Sequence, residues 1–364
     1  MDAQQFLAEL GHIANAPGGV SKLREMILAL AVQGSLVTQD PADTSATNQV
    51  SEIRRLSSLQ RFDGKRRRTN GHNSAFIPDP TNLLPAGWSS VRICDIVRVL
   101  NGRAYSKQEL LDSGTPVLRV GNLFTSHKWY FSDLELEDDK CCENGDLLYA
   151  WSASFGPFIW SGERVIFHYH IWKLDLFSTE LLNKQYLYTY LLEKTQEIKA
   201  SGHGISMAHM TKEKFEQLVV PLPPLKEQSR IVAKVDELMA LCDQLEAQQQ
   251  QRRSLQNKLR QSTLQAVAAA TTPHELQATW ARLADNFGPL FDAPDDVKAL
   301  RDAIFELAMR GVLLPNATMD VVASEDELPG LPTGWGWKTL GELSEYITSG
   351  SRGWKDYIPE SVTS

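Results

Sequence analysis

Cysteine is scarce. The 364 residues contain four, Cys94, Cys141, Cys142 and Cys242, and none stands in a C-x-x-C spacing. The adjacent pair Cys141 and Cys142 is poorly placed to chelate one ion, so a structural zinc would need distant histidines to converge. Reduced, packed thiols are the expectation. No run of about 18 apolar residues occurs, which excludes a membrane-spanning helix. The opening Met1-Asp2-Ala3-Gln4-Gln5 has neither the basic flank nor the apolar core of a signal peptide, and the cytoplasm is the expected compartment. Catalytic signatures are missing too. There is no Asn/Asp-Pro-Pro-Tyr/Phe motif of an amino-methyltransferase and no phosphate loop: Gly64-Lys65 lacks both the glycine five residues earlier and a following Ser or Thr. Glu137-Asp138-Asp139-Lys140 imitates the D-x-K of a nuclease, but no earlier Asp can be placed beside it, and it reads as an acidic surface loop. His168 and His170 flank Tyr169 in an apolar strand and read as packed or singly exposed side chains. No catalytic or metal-binding residue is assigned.

Positive charge is also short overall, with a formal net charge of −8. The deficit is uneven. Pro85 to Leu222 carries 14 Lys/Arg against 17 Asp/Glu, whereas Glu52 to Arg68 carries seven basic residues (Arg54, Arg55, Arg61, Lys65, Arg66, Arg67, Arg68) against Glu52 and Asp63. Composition therefore does not favour nucleic-acid binding and does not forbid it; any phosphate-tracking face must come from the basic segment or be assembled by folding. Lys65-Arg66-Arg67-Arg68 reads first as a solvated charge run, and otherwise as a non-specific phosphate contact.

What the chain does contain is a duplication. Pro17–Leu36 returns as Pro294–Leu313 at an offset of 277, with Leu23/Leu300, Arg24/Arg301, Ile27/Ile304, Leu30/Leu307, Ala31/Ala308, Gly34/Gly311 and Leu36/Leu313 identical. The spacing of Leu23, Ile27, Leu30 and Ala31 is one helical face, and Gly34 falls at its C-terminal cap. Behind each copy comes L-P-x-G-W, at Leu84–Trp88 and Leu331–Trp335, now at an offset of 247, followed by Ile93, Asp95 and Ile96 in one copy and Leu340, Glu342 and Leu343 in the other. The 33 residues after Leu331 are too few to bury an independent core, so a truncated second domain is expected.

Between the copies the pattern predicts an α+β fold: one globular domain followed by a long coiled-coil helix, with additional helical segments. A short helix around Val50–Arg61 precedes the domain in a polar, basic linker. Strands are expected at Val91–Val99, Val117–Val120, Asp146–Ala150, Ile159–Trp160, Val165–His168, Ile171–Leu176 and Gln217–Leu222, with helices at Leu181–Ile198 and Thr211–Glu216. Pro223 and Pro224 hold the chain extended and mark the start of a helix from Leu225 to Ala270, about 70 Å long at 1.5 Å per residue. Its apolar heptad runs Ile231, Val235, Leu238, Cys242, Leu245, passes a polar stretch from Gln248 to Arg253, and resumes at Leu259, a stripe that suits one partner helix. The pattern alone fits a purely structural coiled coil as well as any other role.

Two stretches carry a family resemblance: Leu84-Pro85-Ala86-Gly87-Trp88 opening the domain, and Val219-Val220-Pro221-Leu222-Pro223-Pro224-Leu225-Lys226-Glu227-Gln228-Ser229-Arg230-Ile231-Val232 closing it into the helix. Together with the repeated A-[VM]-x-G-x-L ends (Ala31–Leu36, Ala308–Leu313), they make the chain resemble the specificity subunits of Type I restriction–modification enzymes, with Leu218 where the family's closing run begins with Ile. The resemblance implies a non-catalytic subunit that binds double-stranded DNA, reads one half of a bipartite site with each target-recognition domain, and uses long helices as a spacer. It implies methyltransferase subunits as partners, with restriction and translocase subunits joining them, and places S-adenosylmethionine, ATP and Mg on those partners. This chain is expected to hold no cofactor. Base reading needs Arg, Lys, Asn and Gln on loops or helices at the major groove, which nominates Arg103, Tyr105, Lys107, Arg119, Asn122 and Ser152, and after them His203, Ser206 and His209.

The corresponding division of the chain is a helical segment 1–40, a basic linker 41–83, a target-recognition domain 84–222, a coiled-coil helix 223–270, a helical repeat 271–327 and the start of a second recognition domain 328–364. Two other readings stay open: a half-subunit that pairs with a second copy through Leu225–Ala270, and a coiled-coil interaction protein without DNA affinity.

Overall fold

A computed structural model describes residues 13–14, 16–63, 84–152, 155–200, 210–292, 296–309, 336 and 338–344. The chain divides into two compact units, Met1–Gln248 and Gln249–Ser364. Helices and sheets are both present, as the α+β reading requires. No helix among the described residues is long and apolar enough to cross a membrane.

In the first unit, helix α1 (Gly19–Val32) buries Val20, Leu23, Ile27, Leu28 and Ala31. It stops where the sequence places its cap. Gly34 has φ of +74°, Ser35 N–H donates to Leu30 O at 2.9 Å and Gly34 N–H to Ala31 O at 3.4 Å, a Schellman ending. A Cβ at Gly34 would also lie 2.5 Å from Pro85 Cγ and 3.0 Å from the Trp88 ring. Glycine is thus required both by its backbone angle and by the close approach of the L-P-x-G-W motif. The linker helix α2 (Ala46–Asp63) is longer than expected at both ends. Val50 and Ile53 bury against the same core, and Arg54 pairs with Asp95 at 3.2 Å. Lys65–Arg68 lie outside the described residues.

The expected strand Val91–Val99 is in fact two. Strand β1 (Ser89–Arg92) gives way to a single helical turn, α3 (Ile93–Ile96), before β2 (Val97–Asn101). Ile93 and Ile96 are both fully buried, a spacing of three that strand alternation cannot provide. Beyond them lie β3 (Thr115–Leu118), the helical turn α4 (Val120–Phe124), β4 (Tyr130–Ser132), β5 (Cys141–Cys142), β6 (Leu147–Ala150), β7 (Gly156–Ile159), β8 (Val165–Phe167), β9 (Ile171–Leu176), the helices α5 (Lys184–Ala200) and α6 (Lys212–Glu216), and β10 (Val219–Leu222). One sheet has the order β2-β9-β6-β7, all antiparallel; the other has β4-β3-β8-β5, with β3 and β8 parallel. The very short strands β4 and β5 carry too few residues for a periodic signal.

The two ends of the domain meet. Strand β1 pairs antiparallel with β10, Ser89 opposite Leu222 and Arg92 opposite Val219. Trp88 Nε1 donates to Glu227 Oε1 at 3.1 Å in the buried interior. Gln228 Nε2 donates to Pro223 O at 2.9 Å, and its Oε1 accepts from Asn183 N–H at 2.8 Å. From α5, the Tyr186 and Tyr190 hydroxyls donate to Pro221 O and Val219 O. Each polar group of the Glu-Gln pair thus meets a specific partner, which is what burial demands of it. Helix α7 (Leu225–Ala268) starts at this junction. Ile231, Val235, Leu238 and Cys242 are buried in the core that α1 also enters, with Leu245 half-buried beside it; Arg24 joins α1 to Asp243 and Glu246 at 2.7 Å each. The partner of this half of the stripe is the chain's own N-terminal helix and domain.

The second unit is built from the remainder of α7 with α8 (Pro273–Asp285), α9 (Phe287–Leu290) and α10 (Asp296–Met309), and the short α11 (Leu340–Leu343) lies in the same stretch of chain. Its core is Leu264, Val267, Leu283, Leu290, Ala303 and Leu307. Here the expected heptad does not continue: Leu259 is 57% exposed. The inward face moves by one residue, to Leu264 and Val267, and on that face Arg253 and Arg260 both reach the buried Asp296 carboxylate, at 2.6 Å each. Helices α1 and α10 have the same bounds at the offset of 277, and α3 and α11 at the offset of 247.

Burial pushes the Glu227 carboxyl above its ordinary 4.5, while the Trp88 hydrogen bond and Arg230 oppose the shift. A carboxyl whose folded value is raised binds its proton more tightly when folded, so its contribution to stability declines as pH rises through that range. Trp88→Phe should therefore cost about 1–3 kcal/mol by removing the indole donor from the buried carboxylate. Glu227→Gln, which keeps an acceptor, should gain on the parent chain as pH rises from about 4 to 7. Denaturant midpoints at the two pH values measure both effects.

Candidate nucleic-acid interface

The turn His168-Tyr169-His170 joins β8 to β9 and is gripped by the ends of three other strands. It is a turn, where the sequence suggested an apolar strand. His168 N–H donates to Leu118 O at the end of β3, at 2.9 Å. Past the end of β2, Arg103 N–H donates to Phe167 O and Tyr169 N–H to Arg103 O, each at 3.0 Å. Past β6, Trp151 N–H donates to His170 O at 3.1 Å, and its Nε1 to Tyr169 O at 3.0 Å. The approach is tight at Gly102, where a Cβ would sit 2.4 Å from His168 O.

These backbone bonds gather aromatic and basic side chains at one place. The Tyr105 ring stacks on His168 at 6.3 Å, Trp151 meets His170 edge-on at 5.0 Å, and the two imidazoles are 4.8 Å apart. Tyr169 is 39% exposed. The Arg103 guanidinium lies 5.3 Å from the Tyr105 ring centroid. Arg119 and Lys128 each lie 5.2 Å from that of Tyr130, and both cations are exposed. Planar rings with cations over their faces offer stacking and electrostatic contact to a polyanion bearing bases.

Of the residues nominated from sequence, Arg103, Tyr105 and Arg119 come together around this turn. Lys107 is exposed on the 3-10 turn just beyond Tyr105, and Ser152 follows Trp151. Asn122 is placed differently: its Oδ1 accepts from Arg119 N–H at 3.1 Å and its Nδ2 donates to Lys128 O at 2.9 Å. Its amide is occupied in holding the 119–128 segment and presents Arg119 instead of a free reading group. His203, Ser206 and His209 lie outside the described residues. Sequence reasoning missed Trp151 and Tyr169 and set His168 and His170 aside. The available signal was the interruption of two apolar strand runs, Val165–Phe167 and Ile171–Trp172, by three ring-bearing polar residues.

The electrostatics suit a site that stays uncharged at its centre. Burial, then His170 and Arg119, press the His168 value down to about 4. Burial and Arg119 lower His170 in the same direction. Burial lifts the Tyr105 phenol to about 12. Among the described residues, no group of three or more His, Cys, Asp or Glu could hold a metal ion. A separate cleft of about 300 Å³ in the second unit is lined by Trp280, Leu283, Ala284, Phe287 and Leu300 and offers no ionisable side chain.

Comparisons with known proteins bear on this geometry. Residues 85–252 match the family described as the Type I restriction modification DNA specificity domain. The EcoAI specificity subunit of a Type I restriction enzyme from Escherichia coli is 28% identical over 90% of this chain and 63% of its own length. The EcoEI specificity subunit, also from Escherichia coli, is 26% identical over 91% of this chain and 63% of its own. The chain therefore spans less than two thirds of the length of these relatives. The crystal structure of an HsdS subunit from Thermoanaerobacter tengcongensis superposes with a TM-score of 0.39 at 17% identity, over 68% of this chain and 52% of that one, too loosely to add to the fold described above.

A histidine whose folded value is lowered binds fewer protons folded than unfolded, so its contribution to stability is present above its unfolded value near 6.5 and is lost as pH falls toward 4. Melting temperatures should drop between about pH 6.5 and 4, and His168→Gln should flatten that dependence.

Proposed function

We propose, on the premise that the chain belongs to the Type I restriction–modification DNA-specificity family, that its first unit reads one half of a bipartite DNA site and supplies a scaffold for methyltransferase subunits. The observation that carries this reading is the β8–β9 turn: three strand ends converge on it and bring Arg103, Tyr105, Arg119, Trp151 and Tyr169 to one place. Exposed Arg119, Lys128 and Lys107 are suited to phosphate, and the more enclosed Arg103 and Tyr105 to base edges. The chemistry of methylation and ATP-driven restriction, with S-adenosylmethionine, ATP and Mg, would belong to partner subunits, and the complex to the cytoplasm.

The family's second reading domain has a counterpart in the repeat. Leu340–Leu343 forms a helical turn where the first module has Ile93–Ile96, opened by Thr339, whose hydroxyl accepts from Glu342 N–H at 3.3 Å. The equivalent apolar positions are fully buried in the first copy and 77% and 71% exposed in the second. We assign Leu331 onward to the beginning of a second such module on this ground.

Gel-shift titration of the full chain on duplex DNA, with and without a cognate methyltransferase subunit, tests the reading. Binding that weakens steeply with salt is expected, and Arg119→Ala should weaken it on all sequences alike and flatten the slope of log K against log salt by about 0.9. Absence of binding at low salt with the methyltransferase subunit present would overturn it.

A further inference from the structure

We infer that Glu109 is a specificity-determining partner of Arg103: the two side chains act as one net-neutral unit that discriminates between bases and adds nothing to phosphate affinity. The inference rests on the DNA-recognition reading above and names the chemistry of one part of that site.

Arg103 differs from the other cations of the cluster. Arg119, Lys107 and Lys128 make no ion pair among the described residues, whereas Arg103 Nη2 donates to Glu109 Oε1 at 2.5 Å. The carboxylate is itself fixed, because its Oε2 accepts from Ser106 N–H at 2.8 Å. The Arg103 backbone is held on both sides by Phe167 O and Tyr169 N–H, and Gly102 admits no side chain beside it. The guanidinium is therefore set in place from the main chain outward, over the Tyr105 ring. Two polar atoms of this cluster, Arg103 Nη1 and Tyr105 Oη, are buried and find no hydrogen-bond partner among the described residues. Buried polar atoms are ordinarily paired; the Arg103 side chain as a whole is 35% exposed, so a small rotation of the guanidinium over the ring would turn its unpaired nitrogen to a base acceptor such as guanine O6 or N7.

The physical consequence is separable. Each cation that neutralises a phosphate contributes about −0.9 to the slope of log K against log salt, because it releases a condensed counterion. A guanidinium already neutralised by a carboxylate releases none. The Arg103–Glu109 unit should be silent in the salt dependence and visible only in sequence preference, the reverse of what Arg119 should show. Two carboxylate oxygens near the path of a polyanion would also disfavour a phosphate in that position.

Selection from a randomised duplex pool and salt titration on a non-cognate duplex, both with the full chain, test this. Replacing both residues, Arg103→Gln with Glu109→Gln, exchanges one neutral pair for another; the salt slope should stay as in the parent chain, while preference at one or two base positions is lost. Glu109→Gln alone, which retains an acceptor for Ser106 N–H, frees the guanidinium and should steepen the slope by about 0.9 while blurring the same positions. A double variant whose slope flattens by about 0.9 with its selected sequence intact would make Arg103 a phosphate contact and overturn the inference. So would a single variant that changes neither quantity. A parent chain with no salt-dependent binding even with the methyltransferase subunit present would overturn the DNA reading itself, before any variant is compared.

Discussion

One buried contact, the hydrogen bond from Trp88 to Glu227, ties the two ends of the first unit's sheet domain together. It joins the first residues of the domain to the first turn of the long helix. Around it the three sequence motifs become one object: Gly34 of the helical repeat lies against Pro85 and Trp88, β1 pairs with β10, and Gln228 closes the last gap by binding Pro223 and Asn183. A carboxylate is costly to bury without partners. Glu227 is therefore a demanding choice, and its neighbours Trp88 and Arg230 are what make it tolerable. The gain is geometrical: a domain tethered at both ends to the same turn of a helix has little freedom to swing on it.

From that fixed base the sheets carry their order to the β8–β9 turn. Strands β2, β3 and β6 all end against it, and apart from the Trp151 indole bond to Tyr169 O the bonds that tie those strand ends to it are main-chain bonds, independent of which side chains the turn bears. Such an arrangement separates scaffold from reading surface. Side chains at the strand ends can differ while the frame that holds them persists.

Much of this was legible in the sequence where a motif carries its own physics. The long helix begins at Leu225 as Pro223 and Pro224 dictate, β9 has the expected bounds, and Gly34 caps its helix. What escaped was set by distant partners. The turn Ile93–Ile96 interrupts a run that reads as strand because its two isoleucines both find the core. Leu259 faces outward where Leu264 and Val267 take the core positions and Arg253 and Arg260 meet Asp296, far along the chain. Residue type alone points to Asn122, whose amide the fold already uses, and not to Trp151 or Tyr169. Which loops share one end of a sheet is a property of strand order, and no single loop's composition records it.

The duplication shows the same division between local and distant causes. Helices α1 and α10 share their bounds, yet Leu28 is buried and its counterpart Phe305 is 61% exposed. Local sequence makes the helix, and the neighbours decide which face is covered. The claim on which the account turns is that DNA lies against the β8–β9 turn. A photo-reactive phenylalanine derivative placed at the exposed Tyr169, in the full chain mixed with duplex DNA, tests it directly. The account predicts crosslinking to DNA there and none from the same derivative at Leu59 on the linker helix; crosslinking from Leu59 with none from Tyr169 would contradict it.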